Sequence, residues 1–190
     1  MSIVTSLQQR RSYYHIGKAL PVPESRVVSL VRELTALVPD AFDMKSTRVV
    51  VALGAKHEAL WDAVYDAFGG QVAREKLDGF QRGAGTILYY YDEQTVRSLQ
   101  EKYPLYADSF PNWAQQSSAM LQISVWSGLR ELRIGASLQH YNPVIDERVC
   151  ALFDLPESYR LVAQMPFGGM LTEPEPKRKE DVDRRVRVER

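Results

Sequence analysis

Hydrophobic residues recur at helical spacing in several separate segments of the chain. Residues 2 to 9 have apolar side chains on one face, and the pattern from Val27 to Val38 stops at Pro39. Apolar positions three and four residues apart predict amphipathic helices that pack one face against a core. Shorter patterns of the same kind cover 60–68, 72–80 and 145–153.

The longest helical pattern runs from about Asp108 to Leu132 and carries small or apolar residues almost all round. A helix that is apolar on several faces lies either deep in a core or at a subunit interface. Because a chain of 190 residues has limited core to surround such a helix, we predict that it belongs to a dimer interface.

Three apolar runs rich in β-branched and aromatic residues predict buried strands at 48–53, 86–91 and 159–166. The second run contains Tyr89-Tyr90-Tyr91, which is also the composition of a stacking surface for single-stranded nucleic acid. Consecutive strand residues face opposite sides of a sheet, and no basic groove accompanies these tyrosines. We therefore predict that the triplet forms sheet core and edge.

The composition changes at residue 172, after which two prolines precede a charged run. Val186 and Val188 alternate with arginines near the end of this run. An extended arm that pairs with a sheet edge, its own or that of a second copy, would satisfy the backbone and bury the valines. We predict one domain over residues 1–171 and an arm over 172–190 that packs on the partner subunit.

The overall composition restricts the kinds of partner. The chain has 24 basic and 24 acidic residues, so no net field attracts nucleic acid or an anionic membrane. Cys150 is the only cysteine, and with three histidines in the chain no metal-binding spacing is present. No apolar run approaches the roughly 20 residues of a membrane span. We expect a cytoplasmic protein whose function depends on a local site.

Several common catalytic motifs are absent. Gly83-Ala-Gly85 lacks the third glycine of a dinucleotide fingerprint and leads into a strand instead of a helix. A phosphate-binding loop ending in Gly-Lys-Ser/Thr is absent, as is the Gly-x-Ser-x-Gly elbow of many hydrolases. We expect His57 to lie exposed at a helix start.

The segment Gly135-Ala-Ser-Leu-Gln-His-Tyr-Asn-Pro143 concentrates polar and aromatic side chains directly after the long helix. A turn needs the glycine, asparagine and proline for its backbone angles, but it does not need Gln139, His140 or Tyr141. Loops on a rigid scaffold commonly carry binding residues. The segment therefore predicts a site for a polar, planar group.

Arg10-Arg11-Ser12 offers two guanidinium groups and a hydroxyl, the donors that hold a phosphate monoester. A solvated helix end would have the same residues, and both interpretations stay open on this triplet alone. Lys177 and Lys179, near the other end of the chain, are able to supply further positive charge.

Taken together, five segments resemble the flavin-dependent nitroreductase superfamily along nearly the whole chain. They are Arg10-Arg11-Ser12, residues 39–51, the long helix with Trp113, Gly135–Pro143 and Ala163–Gly168. Within that superfamily, Leu-Gln-His-Tyr-Asn-Pro at 138–143 and Gln-Met-Pro-Phe-Gly at 164–168 resemble the branch called fatty-acid-repression-mutant nitroreductases.

This resemblance implies an α+β fold in three layers, with a central mixed sheet flanked by helices. It also implies an intertwined homodimer with a C-terminal arm and one non-covalently bound FMN per subunit. The residues implied in cofactor binding are Arg10, Arg11 and Ser12 at the phosphate and ribityl end, Lys177 and Lys179 at the phosphate, Asp43 and Lys45 at the pyrimidine edge, usually from the partner subunit, and Gln139, His140 and Tyr141 along the flavin ring.

Two positions depart from the family pattern. Asp43 stands where asparagine is usual, and an ionised carboxylate accepts hydrogen bonds but does not donate them. A negative charge there disfavours the anionic reduced flavin unless Lys45 neutralises it. Arg133 stands where glycine is common, in the turn before Gly135.

The activity that the resemblance implies is ping-pong electron transfer. NADH or NADPH passes hydride to flavin N5 and leaves, and a nitroaromatic, quinone or related small electrophile then takes the electrons. No side chain is assigned as a general acid or base, and His140 is the only candidate for proton transfer. The alternatives are a flavin-binding, redox-responsive regulatory protein with little turnover, and a structural dimer that binds no FMN.

Overall fold

Residues 2–177 and 181–190 are described by a computed structural model. The helices in these residues are α1 (Ile3–Gln9), α2 (Glu24–Leu37), α3 (Gly54–Ala67), α4 (Arg74–Gln81), α5 (Glu93–Lys102), α6 (Phe110–Glu131) and α7 (Asp146–Phe153). The strands are β1 (Ile16–Gly17), β2 (Thr47–Leu53), β3 (Gly85–Asp92), β4 (Ile134–Ala136) and β5 (Tyr159–Met170). Short 3₁₀ turns lie at Ala41–Asp43 and Pro104–Ser109.

The sheet has the order β1-β5-β3-β2, and β4 also pairs with β5. Every ladder between these strands is antiparallel. The expectation of a mixed sheet is wrong for these ladders. In the described residues, the only parallel pairing is an isolated bridge between Ser12 and Ala136. Alternating apolar residues indicate a strand but not its direction, so the sequence pattern did not reveal that the strands are antiparallel.

Helices cover both faces of the sheet, which confirms the predicted three-layer α+β fold. Helices α2 and α6 pack on the face that carries Ile87 and Tyr89. Helices α3, α4 and α7 pack on the other face, with Leu88 and Tyr90. Tyr89 and Tyr90 are 0% and 2% exposed, so the tyrosine triplet contributes to the core and offers little surface for stacking.

Helix α5 was not predicted from the apolar pattern. Nine of its ten residues avoid full burial, and Val96 is its only buried residue. Asp92 starts the helix, because its side chain accepts a hydrogen bond from the backbone N–H of Gln94. Such a helix is set by its cap and its neighbours rather than by an amphipathic stripe.

The expectation for His57 is wrong, because this residue is 1% exposed inside α3. Its Nδ1 lies 2.9 Å from the Thr86 hydroxyl, and its Nε2 lies 3.1 Å from the Gln81 carbonyl oxygen. Trp61 donates to the same hydroxyl across 3.0 Å. Burial lowers the pKa of His57, because a charged imidazolium would lose its hydration there.

The glycines of Gly83-Ala-Gly85 allow strand β3 to pass close to its neighbours. A methyl group at Gly83 would lie 2.7 Å from the Phe167 carbonyl oxygen. At Gly85 it would lie 2.6 Å from the Phe167 ring and 2.8 Å from the Ala52 carbonyl oxygen. These glycines therefore serve packing rather than phosphate binding.

The C-terminal segment 181–190 forms one turn and pairs with no strand in the described part of the chain. Its valines are exposed, and Val186 and Val188 show 63% and 71% of their surface. In the described residues, no helix combines the length and the apolar character that crossing a bilayer requires.

Replacing Gly85 with alanine tests the close packing of β3. We expect Gly85→Ala to lower the free energy of unfolding by about 1–3 kcal/mol, because the new methyl group overlaps backbone and ring atoms. The matched control is Gly79→Ala in α4, where the nearest atoms lie 3.9 Å away and alanine favours the helix. Chemical denaturation measures both, and equal stability of the two variants would refute the packing argument.

The buried His57 predicts a loss of stability in mild acid. The pKa of His57 is lowered in the folded state, so the unfolded chain takes up the proton first as the pH falls below about 6.5. We expect wild type to lose more unfolding free energy between pH 7.5 and pH 5 than His57→Gln does. His15→Gln, at an exposed position, is the control and should follow wild type.

Candidate functional site

Three positive side chains, Arg10, Arg11 and Lys177, form a cluster where the two ends of the chain meet. Arg11 donates a hydrogen bond to the Glu175 backbone carbonyl. Slight burial and the nearby Arg10 and Arg11 charges lower the pKa of Lys177. Burial, followed by the charge of Arg11, lowers the pKa of Arg10. In both groups lost hydration is the larger cause of the lowered pKa, and the neighbouring positive charges add to it.

No carboxylate in the described part of the chain forms an ion pair with any member of this cluster. In addition, Arg10 Nε is buried and finds no hydrogen-bond partner among the described residues. A buried donor without a partner is rare in folded proteins, and an anion would satisfy it. The cluster is therefore chemically suited to a phosphate group.

Trp126 holds this cluster against the rest of the fold. The Arg10 guanidinium carbon lies 4.1 Å from the centre of the Trp126 ring. The indole N–H of Trp126 donates to the Ala136 carbonyl oxygen across 3.1 Å, and Tyr13 N–H donates to the same oxygen across 2.9 Å. Since Ser12 also bridges to Ala136, the segment Arg10–Ser12 lies beside the start of the polar turn.

The turn that follows β4 is fastened to β5 by Gln164, whose side chain is fully buried. Gln139 and Gln164 exchange two backbone hydrogen bonds, of 2.7 and 2.9 Å. The Gln164 side-chain oxygen accepts from Tyr141 N–H at 2.8 Å, and its amide nitrogen donates to Asn142 Oδ1 at 3.3 Å. The two motifs at 138–143 and 164–168 are thus in direct contact.

The predicted residues of this turn face different ways. Gln139 is 8% exposed, and its side chain donates to the Ser137 hydroxyl at 3.1 Å. The Tyr141 ring packs edge-on against Trp61 and Phe68 in the core, so its side chain is turned into the protein. His140 is exposed. Of the three, only His140 presents its side chain to solvent or a ligand.

Asp43 and Lys45 lie elsewhere in the single chain. Their side chains form an ion pair of 2.9 Å and are 78% and 75% exposed, respectively. They lie at a cleft of about 1000 Å³ between α2, the edge of β2 and α6. In the described residues, no hydrogen bond or ion pair joins this cleft to the cationic cluster. Lys179, the last predicted site residue, lies outside the described residues.

Arg133, the second departure from the family pattern, has a φ of 60° directly after α6. This left-handed conformation ends many helices and suits glycine best. The turn before Gly135 therefore keeps the backbone shape that a glycine would give.

Sequence reasoning did not identify Trp126 or assign a role to Gln164. A signal for Gln164 was present, because a glutamine in the middle of a buried apolar strand needs partners for its amide. For Trp126, the sequence does not distinguish a tryptophan that packs against an arginine from one that packs in the hydrophobic core.

Comparison with known proteins agrees with this geometry. The sequence profile of the Nitroreductase family matches residues 7–169. The nitroreductase FRM2 of Saccharomyces cerevisiae is 29% identical over 177 residues, which cover 92% of this chain and 91% of that protein. HBN1 of the same yeast is 29% identical over 166 residues, covering 86% of this chain and 85% of that protein.

Solved structures agree as well. Nitroreductase CinD from Lactococcus lactis is 37% identical, and the alignment covers 100% of both chains. The TM-score is 0.94 for CinD in complex with chloramphenicol and 0.93 for its complex with 4-nitrophenol. A protein of the same fold from Exiguobacterium sibiricum, solved in complex with FMN, is 11% identical with a TM-score of 0.78 over 100% of this chain and 98% of that one. The chain therefore belongs to the nitroreductase family, on the branch of FRM2 and HBN1.

Proposed function

We propose that the protein is an FMN-dependent oxidoreductase that takes hydride from NADH or NADPH and passes electrons to nitroaromatics, quinones or related electrophiles. The observation that carries this proposal is the cluster of Arg10, Arg11 and Lys177 beside the polar turn, in which the buried Arg10 Nε has no partner among the described residues. FMN is common in this family and is present in the Exiguobacterium relative. The CinD complexes with chloramphenicol and 4-nitrophenol support nitroaromatic acceptors.

Different residues of the site would hold different parts of FMN. Arg10, Arg11 and Lys177 bind the phosphate by charge-assisted hydrogen bonds, and Ser12 binds the adjoining ribityl chain. The turn from Gln139 to Tyr141 would hold the ring. Tyr141 would contribute its backbone carbonyl, because its N–H already donates to Gln164 and its side chain is in the core. Bound FMN supplies reversible hydride acceptance at N5.

Proton transfer at the ring has one candidate in this turn. His140 is exposed, whereas Gln139 and Tyr141 are buried. An imidazole is able to give or take a proton near neutral pH. Water at the same exposed edge is the alternative source of protons. His140 delivers a proton only if its ring lies within hydrogen-bond distance of the reacting atom.

Asp43 and Lys45 of a second copy would hold the pyrimidine edge of the flavin. Arg10, Arg11 and Ser12 lie beside β4, whereas Asp43 and Lys45 lie at the cleft beside the edge strand β2. A site that uses both sets would therefore be completed by a second copy. The 2.9 Å ion pair with Lys45 compensates the Asp43 charge, which limits its effect on flavin reduction.

The surface of the chain is suited to such a dimer. Apolar side chains are exposed on α1 and α6, among them Ile3, Val4 and Met120 at 76%, 61% and 41%. Strand β2 ends the sheet, and its outer edge faces the cleft. We propose that α6 packs at the interface and that the end of the arm, residues 181–190, lies on the partner subunit, where Val186 and Val188 become buried. The start of the arm stays on its own chain, because Glu173 accepts a hydrogen bond from Tyr13 and Glu175 accepts one from Arg11.

Purified protein tests the cofactor assignment through its visible spectrum. We expect absorption near ~450 nm that NADH or NADPH bleaches and that a nitroaromatic restores. Arg11→Ala should bind FMN about ten- to a hundredfold more weakly, because it loses one charged phosphate contact. Arg97→Ala, which removes an exposed guanidinium from α5, is the control.

Colourless protein that cannot be reconstituted with FMN would refute the proposal. Bleaching without turnover of any acceptor would favour the redox-responsive regulator instead. Unchanged FMN affinity in Arg11→Ala would remove that residue from the site.

A complementation experiment tests the shared site. Arg11→Ala and Lys45→Ala each damage every site in their own homodimers, but a mixed dimer contains one site with neither change. Random mixing of the two unfolded variants, followed by refolding with FMN, should restore tight binding in about a quarter of the sites. Fluorescence titration of FMN counts them. No recovery after mixing would place all these residues in one subunit's site.

A further inference from the structure

Phe42 has an unusual backbone conformation for a bulky residue. It lies in the 3₁₀ turn Ala41–Asp43 with a φ of 57°, and Asp43 and Lys45 close by have φ values of 49° and 52°. Glycine or asparagine adopts this left-handed region readily, whereas a large side chain there is uncommon and strained. Strain of this kind persists where the surroundings hold it, commonly at ligand sites. The presence of a phenyl ring at a position that suits glycine or asparagine therefore needs an explanation.

The Phe42 ring is the outer member of an aromatic cluster from three separate segments. Its centre lies 5.0–5.6 Å from the centres of four other rings, and it is within 18° of parallel to Trp113. The other three rings are Tyr103, Tyr106 and Phe110.

Despite these contacts, part of the cluster faces outward. Phe42 is 46% exposed and Tyr106 is 43% exposed, whereas Phe110 is fully buried beneath them. Leu105, at 85% exposure, extends the apolar surface. The outward surface thus combines the Phe42 and Tyr106 rings with Leu105 on a buried aromatic support.

We propose that Phe42, Tyr106 and Trp113 form a stacking platform that binds the aromatic ring of the electron acceptor. This inference rests on the proposed function. Nitroaromatics and quinones are planar and electron-poor, and such rings make favourable offset contacts with electron-rich aromatic faces. Asp43 directly follows Phe42, so the turn that addresses the flavin edge also carries the platform beside it.

The platform favours planar aromatic acceptors over acceptors without a ring. Ferricyanide, a small non-aromatic oxidant, has no face to stack on Phe42, and its rate of reduction depends on access to reduced flavin. The ratio of kcat/KM for 4-nitrophenol or a quinone to that for ferricyanide therefore reports on the platform.

Two substitutions of Phe42 separate the effect of its aromatic ring from the effect of an apolar side chain at this position. Phe42→Leu keeps an apolar side chain in the same strained turn but removes the ring, and Phe42→Tyr keeps the ring. We expect the ratio to fall about two- to tenfold in Phe42→Leu and to stay near wild type in Phe42→Tyr. Phe153→Leu, in α7 beside Lys56, is the matched control and should leave the ratio unchanged.

Direct binding provides a readout that does not depend on turnover or on flavin content. Titration with 4-nitrophenol should quench tryptophan fluorescence, and Trp113→Phe should remove most of that quenching. The dissociation constant from the titration should rise about two- to tenfold in Phe42→Leu.

The outcomes distinguish this inference from the proposed function. Flavin-loaded, active protein with the same ratio and the same dissociation constant in Phe42→Leu would overturn the platform alone. Colourless protein that still shows Phe42-dependent quenching would refute the flavin function but support the platform. Size-exclusion chromatography adds a third arm: if Phe42→Leu turns a dimer into monomers, the ring is a subunit contact and the inference is wrong.

Discussion

The need to satisfy the buried amide of Gln164 organises much of this molecule. Gln164 lies in β5, the strand that pairs with β1, β3 and β4. Bulk water does not reach a side chain that is 0% exposed, so its oxygen and nitrogen need hydrogen-bond partners inside the protein. The backbone of Tyr141 and the side chain of Asn142 provide these partners. The polar turn therefore has one position relative to the sheet, and any ligand at that turn is placed relative to the sheet as well.

A second constraint acts at the other end of the candidate site. Arg10, Arg11 and Lys177 hold like charges close together without a carboxylate partner among the described residues. Lost hydration, followed by the repulsion between these charges, lowers the pKa values of Arg10 and Lys177. A bound phosphate would convert the repulsion into attraction. Function and stability thus conflict in the free protein and agree in the proposed complex.

Local patterns predicted most of the fold because helices and strands follow from spacing along the chain. Helices α2 and α6 and strands β2, β3 and β5 lie where apolar spacing indicated them. The pattern missed α5, which has one buried residue, and misjudged His57, which is buried against Thr86 and Gln81. Polar residues in the core are difficult to predict, because their partners come from segments that are distant in sequence.

The candidate site was predicted less completely than the fold. The sequence identified the polar turn and the arginine pair, but it did not indicate that the Tyr141 ring enters the core or that Trp126 supports Arg10. For Asp43 and Lys45, the resemblance implied a position in the partner's site, and the single chain has them at the cleft beside β2. Side-chain direction depends on packing against other elements, which residue order does not specify.

By itself, the sequence determined the kinds of local structure and the chemical groups available: two arginines after the first helix, a polar turn after the longest one, and no net charge. The tertiary structure decided which of those groups meet. It joined Ser12 to Ala136, which are more than a hundred residues apart, and Gln139 to Gln164, which helix α7 separates in the sequence. The physical reason is that periodicity and turn chemistry act over a few residues, whereas burial and hydrogen bonding select partners across the whole chain.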